Sequence, residues 1–362
     1  MALVFSKFRG LNPNGFSTKP MHKKLLLLFV GLFLFTRLSS QGETNGLVNW
    51  LTLKEAQEKN KTLSKPFLFD IYTDWCGWCK HMMRTTYSNP GLASYINTHF
   101  YPVKFDAETK DTIEYNGVVY KPLSPAPKTP HELAVKFLGE KLSYPSTIFV
   151  TNNFNYNLLS QGYLDEKKIE PLLIFMVENV WQNAGFDDFN KHFNHTFVDT
   201  NFAKAPVKIY NITELEALQK KKPKKVLVSI GAEFSNSWKV MNKTTFMDTS
   251  LAAYINKNFY LVQFAATTPD TIIFRNEKHY NTLINNFPLH TLAFRLTNNR
   301  FSMPCLSMLD ENLNFIDVLA QYQSPERLKP ILTYIATNAY KTKDFNTFMQ
   351  EYLKPPPAKS KK

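Results

Sequence analysis

Trp75-Cys76-Gly77-Trp78-Cys79-Lys80 decides the reading of this chain, because it sets two thiols three residues apart where they can close and open a disulfide across a helix start. The same spacing also supplies half of a zinc site, so the surroundings have to choose between the two. Upstream, Pro66-Phe67-Leu68-Phe69-Asp70-Ile71-Tyr72 is an apolar run broken by one carboxylate, and it predicts a central strand. Downstream, Tyr144-Pro145-Ser146-Thr147 leads into a second strand-like run, Ile148-Phe149-Val150. A closed zinc site takes four ligands, usually from two Cys/His pairs. The chain has three cysteines, and the third, Cys305, lies more than two hundred positions beyond Cys79. The residues therefore favour redox chemistry over a mononuclear zinc site, while Cu(I) capture by two thiolates stays open on ligand softness. His81 reads as a polar surface residue.

At these residues the chain resembles the thioredoxin superfamily, and within it the extracytoplasmic thioredoxin-like proteins that carry a Trp-Cys-x-x-Cys-Lys site. The resemblance implies a role for each matching residue. Cys76 would be the attacking thiol, Cys79 the resolving thiol, Asp70 the buried acid and Pro145 a cis-proline facing the dithiol. Trp78 stands where thioredoxin itself usually has proline. Because the two intervening residues tune redox potential in that family, the direction of electron flow does not follow from the sequence.

Physical chemistry sets demands on each position. The thiolate is the nucleophile, and a helix N-terminus lowers a cysteine pKa from ~8.5 to roughly 3.5–7.5. A helix starting near Gly77 would aim its unpaired N–H groups and the positive end of its dipole at Cys76. Gly77 is expected to permit a tight strand-to-helix turn, and Trp75 and Trp78 to form an apolar collar for a client peptide, with ordinary packing as the alternative for both. Asp70, desolvated on a strand, would have a raised pKa suited to proton exchange with Cys79; the alternative is a strand-end aspartate bonded to a backbone N–H. Pro145, with Tyr144 before it, would shape the peptide seat, or else simply open an edge strand.

Residues 1–42 read as a signal-peptide region: Met21-His22-Lys23-Lys24 is basic, Leu25 to Phe35 apolar, and Ser39-Ser40-Gln41-Gly42 small near a cut. The apolar run is shorter than the ~18–20 residues of a spanning helix, so the expectation is an exported, periplasmic or extracellular protein with no stable membrane span. The formal charge of +13 falls to +7 without residues 1–40. Much of the remainder sits in Lys220-Lys221-Lys222-Pro223-Lys224-Lys225 and in the tail from Lys354, read as solvated loop and end. No aromatic-basic stripe or recognised module accompanies them, so nucleic acid is not an expected partner.

A second feature is self-similarity at an offset of 159 residues. Between Lys80–Ile113 and Lys239–Ile272, 18 of 34 positions are identical, and His131, Pro145, Tyr163 and Pro171 fall on His290, Pro304, Tyr322 and Pro330. The active-site residues do not survive the shift. Cys76 falls on Ser235, Cys79 on Trp238 and Asp70 on Ser229, so dithiol exchange is chemically impossible in the second copy. Cys305 directly follows Pro304; it is either a buried strand cysteine or a neighbour of the degenerate site.

The expected fold class is α/β, with two tandem thioredoxin-like domains, each a mixed central sheet flanked by helices. The catalytic domain is placed at 43–190, a linker at 191–206, the degenerate domain at 207–353 and a basic disordered tail at 354–362. The stretch from Thr109 to Pro130 reads as an extended, proline-rich loop. The function expected is an exported thiol-disulfide oxidoreductase with catalytic Cys76, Cys79 and Asp70. Its substrate-binding residues are Trp75, Gly77, Trp78, Tyr144 and Pro145. Its partners are protein disulfides or thiols and a redox protein that supplies or accepts electrons, and no metal or organic cofactor is called for. The rival from another class is a non-enzymatic peptide-binding or adaptor protein with a redox-sensitive or Cu(I)-holding dithiol.

Overall fold

Two strands, Phe67–Tyr72 and Lys225–Gly231, are buried along nearly their whole length, and each is the centre of its own sheet. The structure, a computed structural model, describes residues 46–199, 206–284 and 286–354. The signal-peptide reading, residues 200–205 of the expected linker and the tail beyond Lys354 lie outside the described residues. The chain divides into two compact units between Glu166 and Lys167.

In the first unit, α1 (Leu53–Thr62) opens with a capping box in which the Thr52 hydroxyl accepts from the Glu55 N–H and the Glu55 carboxylate accepts from the Thr52 N–H. The order then runs β1 (Phe67–Tyr72), α2 (Gly77–Arg84), α3 (Pro90–His99), β2 (Tyr101–Asp106), β3 (Ile113–Tyr115), β4 (Val118–Tyr120), α4 (Glu132–Leu138), β5 (Ser146–Val150) and β6 (Asn157–Gln161). The main sheet has the order β2-β1-β5-β6; β1 runs parallel to β2 and antiparallel to β5. Strand alternation sorts β1 into two faces. Phe67, Phe69 and Ile71 enter one apolar core with Val103, Leu133 and Ile148. Leu68 and Asp70 point to the other face, where their register partners on β5 are Phe149 and Thr147.

The second unit carries α5 (Glu166–Val177), whose first residue closes the first unit, and α6 (Phe186–Phe197). It continues with β7 (Ile209–Tyr210), α7 (Leu215–Lys221), β8 (Lys225–Gly231), α8 (Asn236–Lys243), α9 (Thr249–Asn258) and β9 (Phe259–Ala265). Next come β10 (Ile272–Phe274), β11 (Glu277–His279), β12 (Asn281–Ile284), β13 (Phe287–His290), α10 (Thr291–Leu296), β14 (Cys305–Leu309), β15 (Phe315–Ala320), α11 (Pro325–Ala336) and α12 (Phe345–Tyr352). Its main sheet has the order β15-β14-β8-β9-β7, the first unit's arrangement with one more parallel strand at the edge.

Several details depart from the sequence reading. The proline-rich stretch contains a two-stranded hairpin, β3–β4, turned by Asn116 and Gly117 at φ 50° and 75°. Asn-Gly is the residue pair that a type I′ turn demands, so the signal was present in the sequence. Helix α6 continues to Phe197, inside the segment read as linker, because Phe189 and Phe193 give it a buried face. Lys225 belongs to no solvated run: it is buried on β8, with its ammonium donating to Glu311 at 2.7 Å and Asn338 at 2.9 Å.

Candidate active site: a dithiol at a helix start

Strand β1 ends at Tyr72, and within five residues the chain has turned into α2 with Cys76 as its N-cap. The Cys76 N–H donates to Thr73 O at 3.1 Å, and the Cys79 N–H donates to Cys76 Sγ at 3.1 Å. The sulfur therefore occupies the place where a capping oxygen normally satisfies a first-turn N–H. Cys76 and Cys79 are joined as a disulfide with S–S 2.01 Å, and each is 5% exposed. The same helix start favours a thiolate on Cys76 once the bond is opened.

Around this shallow seat stand the tryptophans. Trp75 and Trp78 are 57% and 62% exposed, which excludes an ordinary packing role for either ring. Trp75 is steered by its indole N–H, which donates to Glu108 at 3.0 Å, and by an edge contact with Tyr144 at 6.0 Å between centroids. Trp78 meets His81 and Tyr163, which also contact each other at 5.1 Å. His81 is thus part of an aromatic rim rather than an isolated surface residue. Tyr163 was missed as a rim residue, although it carries the same ring in both copies. The Tyr144–Pro145 peptide bond is cis, and the Pro145 carbonyl accepts from the Gly162 N–H at 2.8 Å. Gly77 is not required by the backbone: its φ lies outside the left-handed region, and a Cβ there would meet nothing within 4 Å. The rim is acidic beside Trp75, where burial raises the Asp106 pKa and the neighbouring Asp74 and Glu108 charges add to the rise.

Behind α2, Asp70 is buried on the face of β1 opposite the large apolar core. Neither carboxylate oxygen has a hydrogen-bond partner of bonding geometry among the described residues, which rules out the strand-end cap considered for it. Burial pushes its carboxyl up to about 7, held back by Lys104 on β2 and by the Tyr87 hydroxyl. A carboxyl near that value can both take and return a proton at neutral pH.

The second copy shows where Asp70 and Cys79 point. At the equivalent positions the Trp238 indole N–H donates to Ser229 Oγ at 3.0 Å, and Ser229 Oγ donates to Asn242 at 2.8 Å. Strand and helix side chains of this face thus meet in the fold. Trp238 also lies over Gly231, where an added Cβ would come within 2.3 Å of the indole. The helix start there is closed by Glu178, whose carboxylate accepts from the Ser235 hydroxyl at 2.7 Å, from the Asn236 and Ser237 N–H groups at 2.9 and 3.0 Å, and from the Ser237 hydroxyl. Met303–Pro304 is cis as in the first copy. Cys305 is fully buried with its side chain in the core on the other face of the sheet from Ser229, and burial pushes its thiol up to about 12. It is the inert strand cysteine of the two alternatives. The described residues contain no group of three or more His, Cys, Asp or Glu side chains that could hold a metal ion.

Residues 40–185 match a family described as "Thioredox_DsbH: Protein of unknown function, DUF255". The matched stretch takes in the helix-capping dithiol, the cis-proline and the β2-β1-β5-β6 sheet, and in that stretch the chain is similar to this family. Both units are α/β, each with a mixed sheet and flanking helices. No curated protein matches the chain. Among solved structures it is similar to a thioredoxin-fold protein from Helicobacter pylori, at 13% identity over 44% of this chain and 92% of that one, with a TM-score of 0.28. It is also similar to a DsbH oxidoreductase, at 17% identity over 32% and 74% with a TM-score of 0.23. A third is the first two thioredoxin domains of Saccharomyces cerevisiae Eps1p, at 12% identity over 75% and 90% with a TM-score of 0.25. No helix among the described residues is long and apolar enough to cross a membrane.

Proposed function

We propose that the chain is an exported thiol-disulfide oxidoreductase that exchanges the Cys76–Cys79 disulfide with protein substrates. The observation that carries this reading is a closable sulfur pair at the open start of α2, ringed by exposed aromatics and backed by a buried acid. In the reducing direction the Cys76 thiolate attacks one sulfur of a client disulfide. The client S–S bond breaks, the other sulfur leaves as a thiolate that takes a proton, and Cys76 is left joined to the client. Asp70 then accepts the Cys79 proton, and the Cys79 thiolate attacks Cys76 Sγ. The bond between Cys76 and the client breaks, and the second client sulfur leaves with the electron pair and is protonated. The client has gained two electrons and two protons, and the protein holds the Cys76–Cys79 disulfide. A partner dithiol protein restores it by the same steps in reverse, and a client dithiol would be oxidised in that way.

Trp75, Trp78, Tyr144 and Pro145 would form the client seat, with the open space over Gly77 letting the client backbone approach. The repeat supports a catalytic copy spanning 43–190 and a degenerate copy spanning 207–353, the latter supporting the former or holding client chain. The basic and apolar run from Met21 to Gly42 supports secretion to a periplasmic or extracellular space. Cys79→Ala tests the mechanism, since it removes the resolving thiol: client proteins should then accumulate as covalent adducts that reductant releases. Turnover of an insulin-type disulfide at the wild-type rate by Cys76→Ser would refute the assignment.

A peptide-binding role without catalysis is favoured by one observation, the retention in the degenerate copy of the cis-proline and of an exposed aromatic ring, Phe234, at the Trp75 position. Replacing Cys76 and Cys79 together by serine separates the readings. A binding protein keeps its function; an oxidoreductase loses it.

A further inference from the structure

The Tyr87 side chain is fully buried in the turn that follows α2, and no step of the dithiol cycle uses it. Its hydroxyl lies beside the Asp70 carboxyl and 3.5 Å from Thr147 Oγ1. Thr147 is the register partner of Asp70 on β5, so its hydroxyl shares the face on which the acid sits. Two hydroxyls from different elements thus lie next to a buried acid whose oxygens have no hydrogen-bond partner of bonding geometry among the described residues.

The second copy serves as an internal control. The positions of Asp70, Tyr87 and Thr147 are Ser229, Phe246 and Leu306 there, so the acid, the phenol and the threonine are absent along with the thiols. The turn itself does not need the phenol. Thr86 Oγ1 donates to Leu164 O at 2.6 Å in the first copy, and Thr245 Oγ1 donates to Gln323 O at 2.9 Å in the second, where a phenylalanine ring fills the same fully buried site. Packing alone would be served by the ring, and a buried hydroxyl with a weak partner costs free energy. Its presence only where the acid is present calls for a role at the acid.

We infer that Tyr87, seated with Thr147 against Asp70, is a positioning residue that holds the Asp70 carboxyl ready to take the Cys79 proton. The inference rests on the oxidoreductase reading. In the step concerned, Cys79–SH and the Asp70 carboxylate become a Cys79 thiolate and an Asp70 carboxylic acid; the thiolate then displaces the client sulfur from Cys76, and the leaving client thiolate is protonated. The Tyr87 hydroxyl beside the carboxyl lowers its pKa and so favours the ionised acid that must be present before the transfer. The other group that acts on Asp70 is Lys104 on β2, which lowers its pKa.

The test is Tyr87→Phe in the full chain, a substitution that the second copy already tolerates as Phe246. Two measurements are made against pH: the carboxyl titration of Asp70 by infrared difference spectroscopy, with Asp70→Asn identifying the band, and the rate of mixed-disulfide resolution. Losing the phenol should move both midpoints up by about 0.5–1 pH unit, and the shift in the rate profile should vanish when Tyr87→Phe is placed on an Asp70→Asn background. Superimposable wild-type and Tyr87→Phe profiles, or a rate shift that survives in the Asp70→Asn background, would overturn the inference. A wild-type chain that exchanges no disulfides would sink the functional reading instead; the infrared titration still decides whether Tyr87 governs the acid.

Discussion

One helix start is built twice in this molecule and finished differently. At α2 the first-turn amides face a cysteine sulfur that can leave, return and change partner. At α8 they face the Ser235 hydroxyl and the fixed carboxylate of Glu178. An anion at such a position is worth roughly 0.3–1 kcal/mol. The second copy receives that stabilisation permanently, whereas in the proposed function the first would hold the position for a transient thiolate. The difference separates what the fold requires from what the chemistry requires. His131 and His290 both accept the N–H two residues on and both meet an aspartate carbonyl, at 3.0 and 2.9 Å. The Tyr101 and Tyr260 hydroxyls both donate to the carbonyl 38 residues earlier, at 2.6 Å. Those contacts are kept in both copies, while the thiols, the acid and its hydroxyl neighbours are all missing from one.

The comparison breaks most sharply at the cap residues. Cys76→Ser should reduce insulin-type disulfide reduction below detection, and Ser235→Ala should leave it unchanged; equal losses from both would mean that the two helix starts act together. Next in size is Trp238→Ala. It empties the space over Gly231 and strands the Ser229 and Asn242 pair, so chemical denaturation should show a loss of about 3–5 kcal/mol in the second unit with exchange retained.

Asp70→Asn gives a smaller change with a definite pH dependence. The carboxyl titrates near 7 when folded and near 3.8 when unfolded, so the folded chain holds the extra proton between those values. Stability contributed at this residue is therefore greatest below pH 4 and is lost as pH rises through 7. The asparagine variant escapes the loss: relative to wild type it should gain about 2–4 kcal/mol at pH 8 compared with pH 4, while mixed-disulfide resolution slows by at least tenfold. The smallest effect on stability is expected at the rim. Trp78→Ala should shift the unfolding midpoint by less than about 0.5 kcal/mol, since the ring is exposed, and should raise the client KM several-fold with the small-disulfide rate unaltered.

Much of this was legible in the amino-acid sequence, for identifiable reasons. The apolar run with one carboxylate placed β1, and the offset of 159 residues exposed the repeat, because each signal is local or periodic. The contacts of Tyr87 and Thr147 with Asp70 were not legible. They join a turn and two strands across 17 and 77 residues, and a tyrosine and a threonine look like any core residues until the register is known. Lys225 was misread because a lysine run predicts solvent, and only the strand's place against Glu311 shows that one ammonium turns inward.

The pairing of a small residue on β8 with a large one on α8 decides what the second helix start could accommodate. The first copy sets Tyr72 and Cys79 where the second sets Gly231 and Trp238, so the large ring stands on the strand in one copy and on the helix in the other. Returning Ser235 and Trp238 to cysteine would leave a void above the glycine and a carboxylate already lodged at the mouth of the helix. A dithiol at that helix start would therefore need the space over Gly231 refilled and the Glu178 carboxylate moved, beyond the two cysteines themselves.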